Sequence, residues 1–429
     1  MGRDDKRTLA PRLRFPDFRD APEWEKYSLG DLCRFVRGPF GGALKKDIFV
    51  PKGYAVYEQS HVIDNQMRNF RYFITKDKYD EMKRFAVQPR DIIMSCSGTM
   101  GKFAQLPEGP VPGVINQALL KLTVKKECAA EFILVVLGLP ATQLKLLSQS
   151  AGGAIKNVVG VLQLKEIEVP LPSGAEQQKI ADCLTSLDEL IAAQGLKVEA
   201  TKAHKKGLMQ RLFPREGETL PRLRFPEFRD APECSAGYSG YAVTLGEVVE
   251  VASGQVDPTK PPYCDLPHVG GENIESHTGN LQGVTTARER QLISGKYLFD
   301  ERHVLYSKIR PALNKVAIPD FKGICSADIY PLRPSNDQLC RQYLAYLLLS
   351  EGFLEYATKH SGRSKIPKIN RDVLLAYKSQ IPVLAEQQRI ADCLTTLDTQ
   401  IAAEADKLAV LKTHKRGLMQ QLFPLPEGD

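Results

Sequence analysis

The sequence predicts an α+β protein made of two globular domains, each carrying a long helical arm. The first observation behind this is an internal repeat. Pro11–Glu23 (PRLRFPDFRDAPE) and Pro221–Glu233 (PRLRFPEFRDAPE) are near copies, as are the stretches that open at Ala175 (AEQQKIADCLTSLD) and Ala385 (AEQQRIADCLTTLD). Both offsets equal 210 residues (221 − 11 and 385 − 175), and His204–Pro214 against His414–Pro424 keeps the same value. A single period this clean means that one unit was duplicated in tandem. The second observation is how unevenly the copies diverged. Ala175–Pro214 shares 26 of 40 positions with Ala385–Pro424, whereas between Trp24 and Pro172, set against Cys234 to Pro382, only scattered positions agree. The third is that the diverged middles read as short β-rich runs between Gly and Pro turns: YAVY at 54–57, DIIM at 91–94, HVLY at 303–306 and GICSADIYPL at 323–332.

In chain order, residues 1–24 are a frame segment, 25–172 the first globular domain and 173–214 its arm. A linker with the repeated frame segment (215–234), the second domain (235–382) and the second arm with the tail (383–429) follow. A helix is expected within each domain, near Cys128–Ser148 and near Asp337–Lys359, where apolar residues fall at helical spacing. The arms are bounded by prolines, at 170, 172 and 214 in the first copy and at 382 and 424 in the second. Ile180, Leu184, Leu187 and Ile191 in the first arm, and Ile390, Leu394, Leu397 and Ile401 in the second, open heptad seams interrupted by polar residues such as Gln194, Lys205, Glu404 and Lys415. A seam of this length needs a partner helix, and the other copy is the obvious one. About 40 residues at 1.5 Å each make a rod of roughly 60 Å. Gly195 falls in mid-helix, where glycine costs about 1 kcal/mol.

Composition narrows the function classes. The net charge of 58 − 51 = +7 has the sign suited to a protein that meets phosphate. Nine scattered cysteines without a C-x-x-C pair point to reduced thiols and a cytoplasmic protein. The residues after Met1 are too polar for a signal peptide, and the longest apolar stretch, 132–139, is too short to span a bilayer. No catalytic signature is convincing. GTMGK at 98–102 lacks the spacing of a phosphate-binding loop, and no glycine-rich dinucleotide motif or methyltransferase motif occurs. PDFRDAPEWEK (16–26) offers a passing likeness to a nuclease acid-acid-lysine set, but Trp24 stands where an acid is needed. No catalysis, cofactor or metal site is therefore expected on this chain.

What remains are the loops that differ between the copies. In the first domain a glycine-rich basic loop, 37–46, contributes Lys45 and Lys46. Ser97, Thr99 and Lys102 form a polar turn, and Gln59, His61, Asn116, Gln117, Lys156 and Asn157 add amide and basic groups. In the second, Ser307, Lys308, Arg310, Asn314 and Lys315 form one basic loop, and Arg363, Lys365, Lys368 and Asn370 another. Arg and Lys neutralise phosphates and read guanine edges, while Asn and Gln match the donor and acceptor of adenine, so double-stranded DNA is the expected ligand. A coiled-coil scaffold with sugar- or peptide-binding domains is the alternative; it predicts no salt-dependent DNA affinity.

The frame motifs AEQQ[KR]IADCLT-x-LD, HK[KR]GLMQ-x-LFP and LRFP[DE]F, with YSKIRPALNKVAI (306–318) and KGICSADIYPLRP (322–334), resemble the DNA specificity subunits of type I restriction-modification systems along the whole chain. The resemblance implies that the middles are target-recognition domains, each reading one half of a split, asymmetric DNA sequence, and that the arms pack antiparallel as a coiled coil under a pseudo-twofold repeat. It also implies two methyltransferase subunits docked on the arms, with S-adenosylmethionine bound by them, and restriction subunits joining this core with their ATP and Mg chemistry. Gln177, Gln178, His204, Lys205, His414 and Lys415 are the expected partner surface on the arms. No membrane partner is expected.

Overall fold

A computed structural model of the chain describes residues 9–40, 42–97, 99–150, 161–215, 218, 221–229, 243–362 and 365–424. The chain divides into two compact units, Met1–Ala193 with Lys407–Asp429 and Gln194–Asp406.

In the first unit, an antiparallel sheet runs in the order Cys33–Arg37, Leu119–Val124, Ile92–Ser95, Phe103–Gln105. A second sheet sets Tyr54–Tyr57 between Phe73–Ile74 and Gly113–Ile115, the latter pair running parallel. Parallel strands this close leave no room at Gly113, where a Cβ would lie 2.1 Å from the Ala55 carbonyl oxygen. In the second unit the four-stranded order recurs as Val249–Val251, Ile329–Pro334, Val304–Ser307, Val316–Ala317. The parallel pair recurs as Pro267–Val269 with Gly323–Cys325, and Gly323 is held by the Pro267 carbonyl in the same way.

Register shows that these are one scaffold. Val56 opposite Val114 becomes His268 opposite Ile324; Cys33 opposite Val124 becomes Val249 opposite Pro334; Tyr27 opposite Val169 becomes Val243 opposite Ser379. Each domain's expected helix is in fact two. Ala130–Gly138 gives way to Pro140–Ser150 because a residue before proline is pushed out of the helical region, and Leu139 is extended (ψ 140°). Arg341–Leu349 gives way to Glu351–Lys359 at Ser350, whose hydroxyl accepts from the Phe353 amide.

The arms are unbroken helices, Gly174–Leu212 and Leu384–Leu422, Gly195 included. Each contributes one half to each unit. In the first unit Ile180 and Leu184 share a core with Leu418, Leu422 and Phe423, and Lys415 pairs with Asp188 at 2.5 Å. In the second, Ile390 and Leu394 share a core with Leu208, Leu212 and Phe213, and Lys205 pairs with Asp398 at 2.5 Å. Within each unit residue numbers rise on one helix as they fall on the other, so the halves run antiparallel. The four outer seam residues are buried in their own domain's core, while Leu187, Ile191, Leu397 and Ile401 are half-buried. The seam is thus greasy where an arm leaves its domain and polar between.

The repeated frame segment explains its own retention. Arg14 grips Glu176 with two nitrogens (2.9 and 2.7 Å), and Arg224 grips Glu386 likewise (3.0 and 2.6 Å). The Leu13 amide donates to the Gln421 carbonyl and the Leu223 amide to that of Arg211, so the segment ties an arm start to an arm end inside each unit.

Candidate nucleic-acid interface

In the first unit the strand ends draw most of the candidate residues into one patch. The turn after Ile92–Ser95 closes when the Ser95 amide donates to the Lys102 carbonyl, and the Cys96 amide donates to Ala118. The Gln59 side-chain amide donates to the carbonyls of Ser97 and Thr99, and the Asn116 amide donates to that of Tyr57. Gln59, Ser97, Thr99, Lys102, Asn116 and Gln117 therefore sit together. The glycine-rich loop joins them, because the Gly38 backbone packs so closely on Asn116 that a Cβ would lie 1.8 Å from its carbonyl oxygen. Lys45 and Lys46 are exposed further along that loop.

Arg37, which opens the loop, was not among the residues singled out by type. Its guanidinium lies against Cys96, whose thiol burial pushes up to about 11 while Arg37 opposes the rise. Two of its guanidinium nitrogens are buried without a hydrogen-bond partner. Phe40, three residues on, is 75 % exposed. The order Arg-Gly-Pro-Phe between strand and basic loop was the available signal.

In the second unit the turn after Val304–Ser307 is laced to a second loop. The Arg310 amide donates to the Pro367 carbonyl at 2.6 Å, and the Ile369 amide to that of Lys308 at 2.9 Å. This brings Lys308, Arg310, Lys365, Lys368 and Asn370 into one cluster. Arg310 and Asn314 both hold left-handed backbone (φ 46° and 43°), strain that persists only where the surroundings fix it. Lys308 is tethered by the Ala327 carbonyl at 2.8 Å, by Asp328 at 3.6 Å and over the Tyr330 ring.

Several candidates turn out to have other work. His61 is 5 % exposed, and its Nδ1 accepts from the Glu58 amide, as the Oδ1 of Asn273 accepts from the Gly270 amide at the equivalent place in the second unit. Ser307 and Asn314 are 2 % exposed, and the Asn314 side chain donates to the Leu349 carbonyl. Lys315 is half-buried and donates to the Gly271 carbonyl. On the arms, Gln177 is buried, accepting from the Ala129 amide and donating to the Pro172 carbonyl, and Lys205 is buried against Asp398; neither presents a partner surface. Gln178, His204 and His414 are exposed, and Lys415 is half-buried in its ion pair. Lys156, Asn157 and Arg363 lie outside the described residues.

In the second unit the exposed Arg288, Arg302 and Arg333 are neutralised at home, by Asp265, Asp300 and Glu250. Among the described residues no carboxylate comes within ion-pair reach of Arg310, Lys365 or Lys368, nor of Lys45, Lys46 or Lys102 in the first unit. Unneutralised cations beside exposed amides suit a phosphate backbone with base edges behind it. Among the described residues no group of three His, Cys, Asp or Glu is placed to hold a metal ion, and no helix is long and apolar enough to cross a membrane.

Comparison with known proteins gives the family of the whole chain. Residues 22–200 and 241–413 match the family model described as the type I restriction modification DNA specificity domain. The chain is 30% identical over 271 residues to the type I restriction enzyme EcoDI specificity subunit of Escherichia coli, a match covering 58% of this chain and 58% of that subunit, less than two thirds of its length. It is 23% identical over 440 residues to the MjaVIII specificity subunit of Methanocaldococcus jannaschii, covering 96% of this chain and 93% of that one. The fold is similar to the crystal structure of the type-I restriction-modification system S subunit from M. genitalium, with a TM-score of 0.60 at 16% identity over 97% of this chain and 100% of that chain. With the model matching once in each copy of the repeat, the chain belongs to the type I restriction-modification DNA specificity family.

Proposed function

We propose that this chain is the non-catalytic, cytoplasmic specificity subunit of a type I restriction-modification complex. Each domain reads one half of an asymmetric, bipartite DNA target. The arms carry two methyltransferase subunits, to which S-adenosylmethionine binds, and restriction subunits with their ATP and Mg chemistry join that core. The observation that carries this is that one scaffold, with the four-stranded sheet order and the parallel strand pair repeated, displays different side chains in the turn after the same strand, Ser97, Thr99 and Lys102 in one copy and Lys308 and Arg310 in the other. A duplicated fold with divergent tips suits two half-sites of different sequence.

The test is co-expression with the methyltransferase partner and mapping of modified bases across the host genome. A bipartite motif is expected, and Arg310→Ala should relax or abolish one half only, by about 1–3 kcal/mol at the affected base pair. If no motif appears, or if both halves change, the modular reading fails.

A further inference from the structure

The repeat brings one pair of equivalent residues face to face. Gln194 and Glu404 are separated by 210 residues, the length of the repeat, so each is the other's counterpart. Both belong to the second unit, where the Gln194 side-chain amide donates to the Glu404 carboxylate (2.6 Å) and to its carbonyl oxygen (2.9 Å). Gln194 is 5 % exposed, and Lys197 also reaches the Glu404 carboxylate. Among the described residues, the two lysine–aspartate pairs between the arms survive replacement of one arm by its copy. Lys205 with Asp398 is the counterpart of Lys415 with Asp188, and Lys407 stands where Lys197 does, 210 residues on.

We infer that this pair makes the first arm choose the second, and disfavours two copies of either arm pairing with each other. Two mixed pairs hold two amide-to-carboxylate hydrogen bonds. Re-sorting them into like pairs gives one Gln–Gln contact and one Glu–Glu contact, while the lysine contacts cancel because Lys197 and Lys407 are equivalent. Charge-assisted bonds are about twice as strong as neutral ones, and two carboxylates at the shielded centre of a helix pair repel. The occupant disfavoured on each arm is thus the same arm of a second copy of this chain. The inference concerns arm pairing, and its test contains no DNA, so it stands or falls separately from the DNA-reading role.

The test uses full-length protein carrying a protease site after Arg215. It is folded, cut, unfolded in urea and refolded, and native mass spectrometry counts mixed and like pairs of halves. Mixed pairs should exceed the statistical one-to-one ratio by roughly tenfold. Both Glu404→Gln and Gln194→Glu, each of which makes the central pair identical, should bring the ratio toward one to one. The double exchange Gln194→Glu with Glu404→Gln should restore it. A wild-type ratio near one to one, or a preference unchanged by Glu404→Gln, overturns the inference. Should the cut halves not refold, the uncut chain decides it: Gln194→Glu should lower the urea midpoint more at pH 7 than near pH 4, where a glutamate of ordinary pKa about 4.3 is mostly protonated. The same loss at both pH values overturns it as well.

Discussion

Replacing Arg14 by Ala tests the joint between frame and arm. Arg14 is 11 % exposed at the side chain and Glu176 1 %, and the two make a bidentate ion pair. The pairing raises the pKa of Arg14 through the hydrogen bond to Glu176. Truncation leaves the carboxylate with the Trp24 indole N–H at 3.4 Å as its remaining side-chain donor, and removes bonds to the Ala21 and Pro22 carbonyls. Stranding one partner of a buried pair costs about 3–5 kcal/mol. The loss should therefore be about 3–5 kcal/mol. At about 2–4 °C per kcal/mol for a unit of this size, the melting point drops by about 6–20 °C.

The assay is intrinsic fluorescence, because Trp24 is the one tryptophan in the chain and sits beside the pair. Adding Glu176→Gln to Arg14→Ala should recover part of the loss. A double variant no better than the single one would refute the reasoning.

Phe423→Ala removes a ring packed edge-on to Trp24 (5.9 Å) and tilted against Phe132 (5.6 Å); it should cost the first unit about 3–5 kcal/mol, seen as a lower urea midpoint by Trp fluorescence. His268, 3 % exposed and facing Arg290, Lys296 and Glu272, has its pKa lowered to about 4 by burial and then by those two cations. Its folded pKa lies below the unfolded one, so the second unit should lose about 2–4 kcal/mol as pH falls from about 6.5 to 4; His268→Gln should flatten that slope in melts followed by circular dichroism. Gly38→Ala forces the basic loop off Asn116 and should weaken methylation through the first half-site alone, read by base mapping; equal loss at both halves would show damage beyond the loop.

The arms, the duplicated frame and the shared scaffold were legible because each leaves a periodic or repeated trace. Pro140 also gave fair warning of the break that splits the first domain's helix. Misreading came from polar residues that tie off backbone. Gln177 and Lys205 resembled surface groups, yet both recur unchanged as Gln387 and Lys415, and identity between copies marks the held frame rather than a variable face. His61 was harder. Its counterpart is Asn273, a different residue at an offset of 212, so the shared task of accepting the amide three residues back is invisible until strand register aligns the copies. The polar interruptions of the seam at Gln194 and Lys205 are satisfied across the helix pair.

The division of the chain also sets an order for folding on the ribosome. The second unit is one continuous stretch, Gln194–Asp406, whereas the first needs Lys407 onward, including Leu422 and Phe423 in its core. The domain synthesised first is therefore the last to be completed. At about 5–20 residues per second, residue 423 follows residue 193 by roughly 10–50 s. Through that interval Trp24 and Phe132 lack the ring that covers them. A released chain truncated before Leu418 would hold a finished second domain and an open first one, which makes the far arm the checkpoint for the first domain.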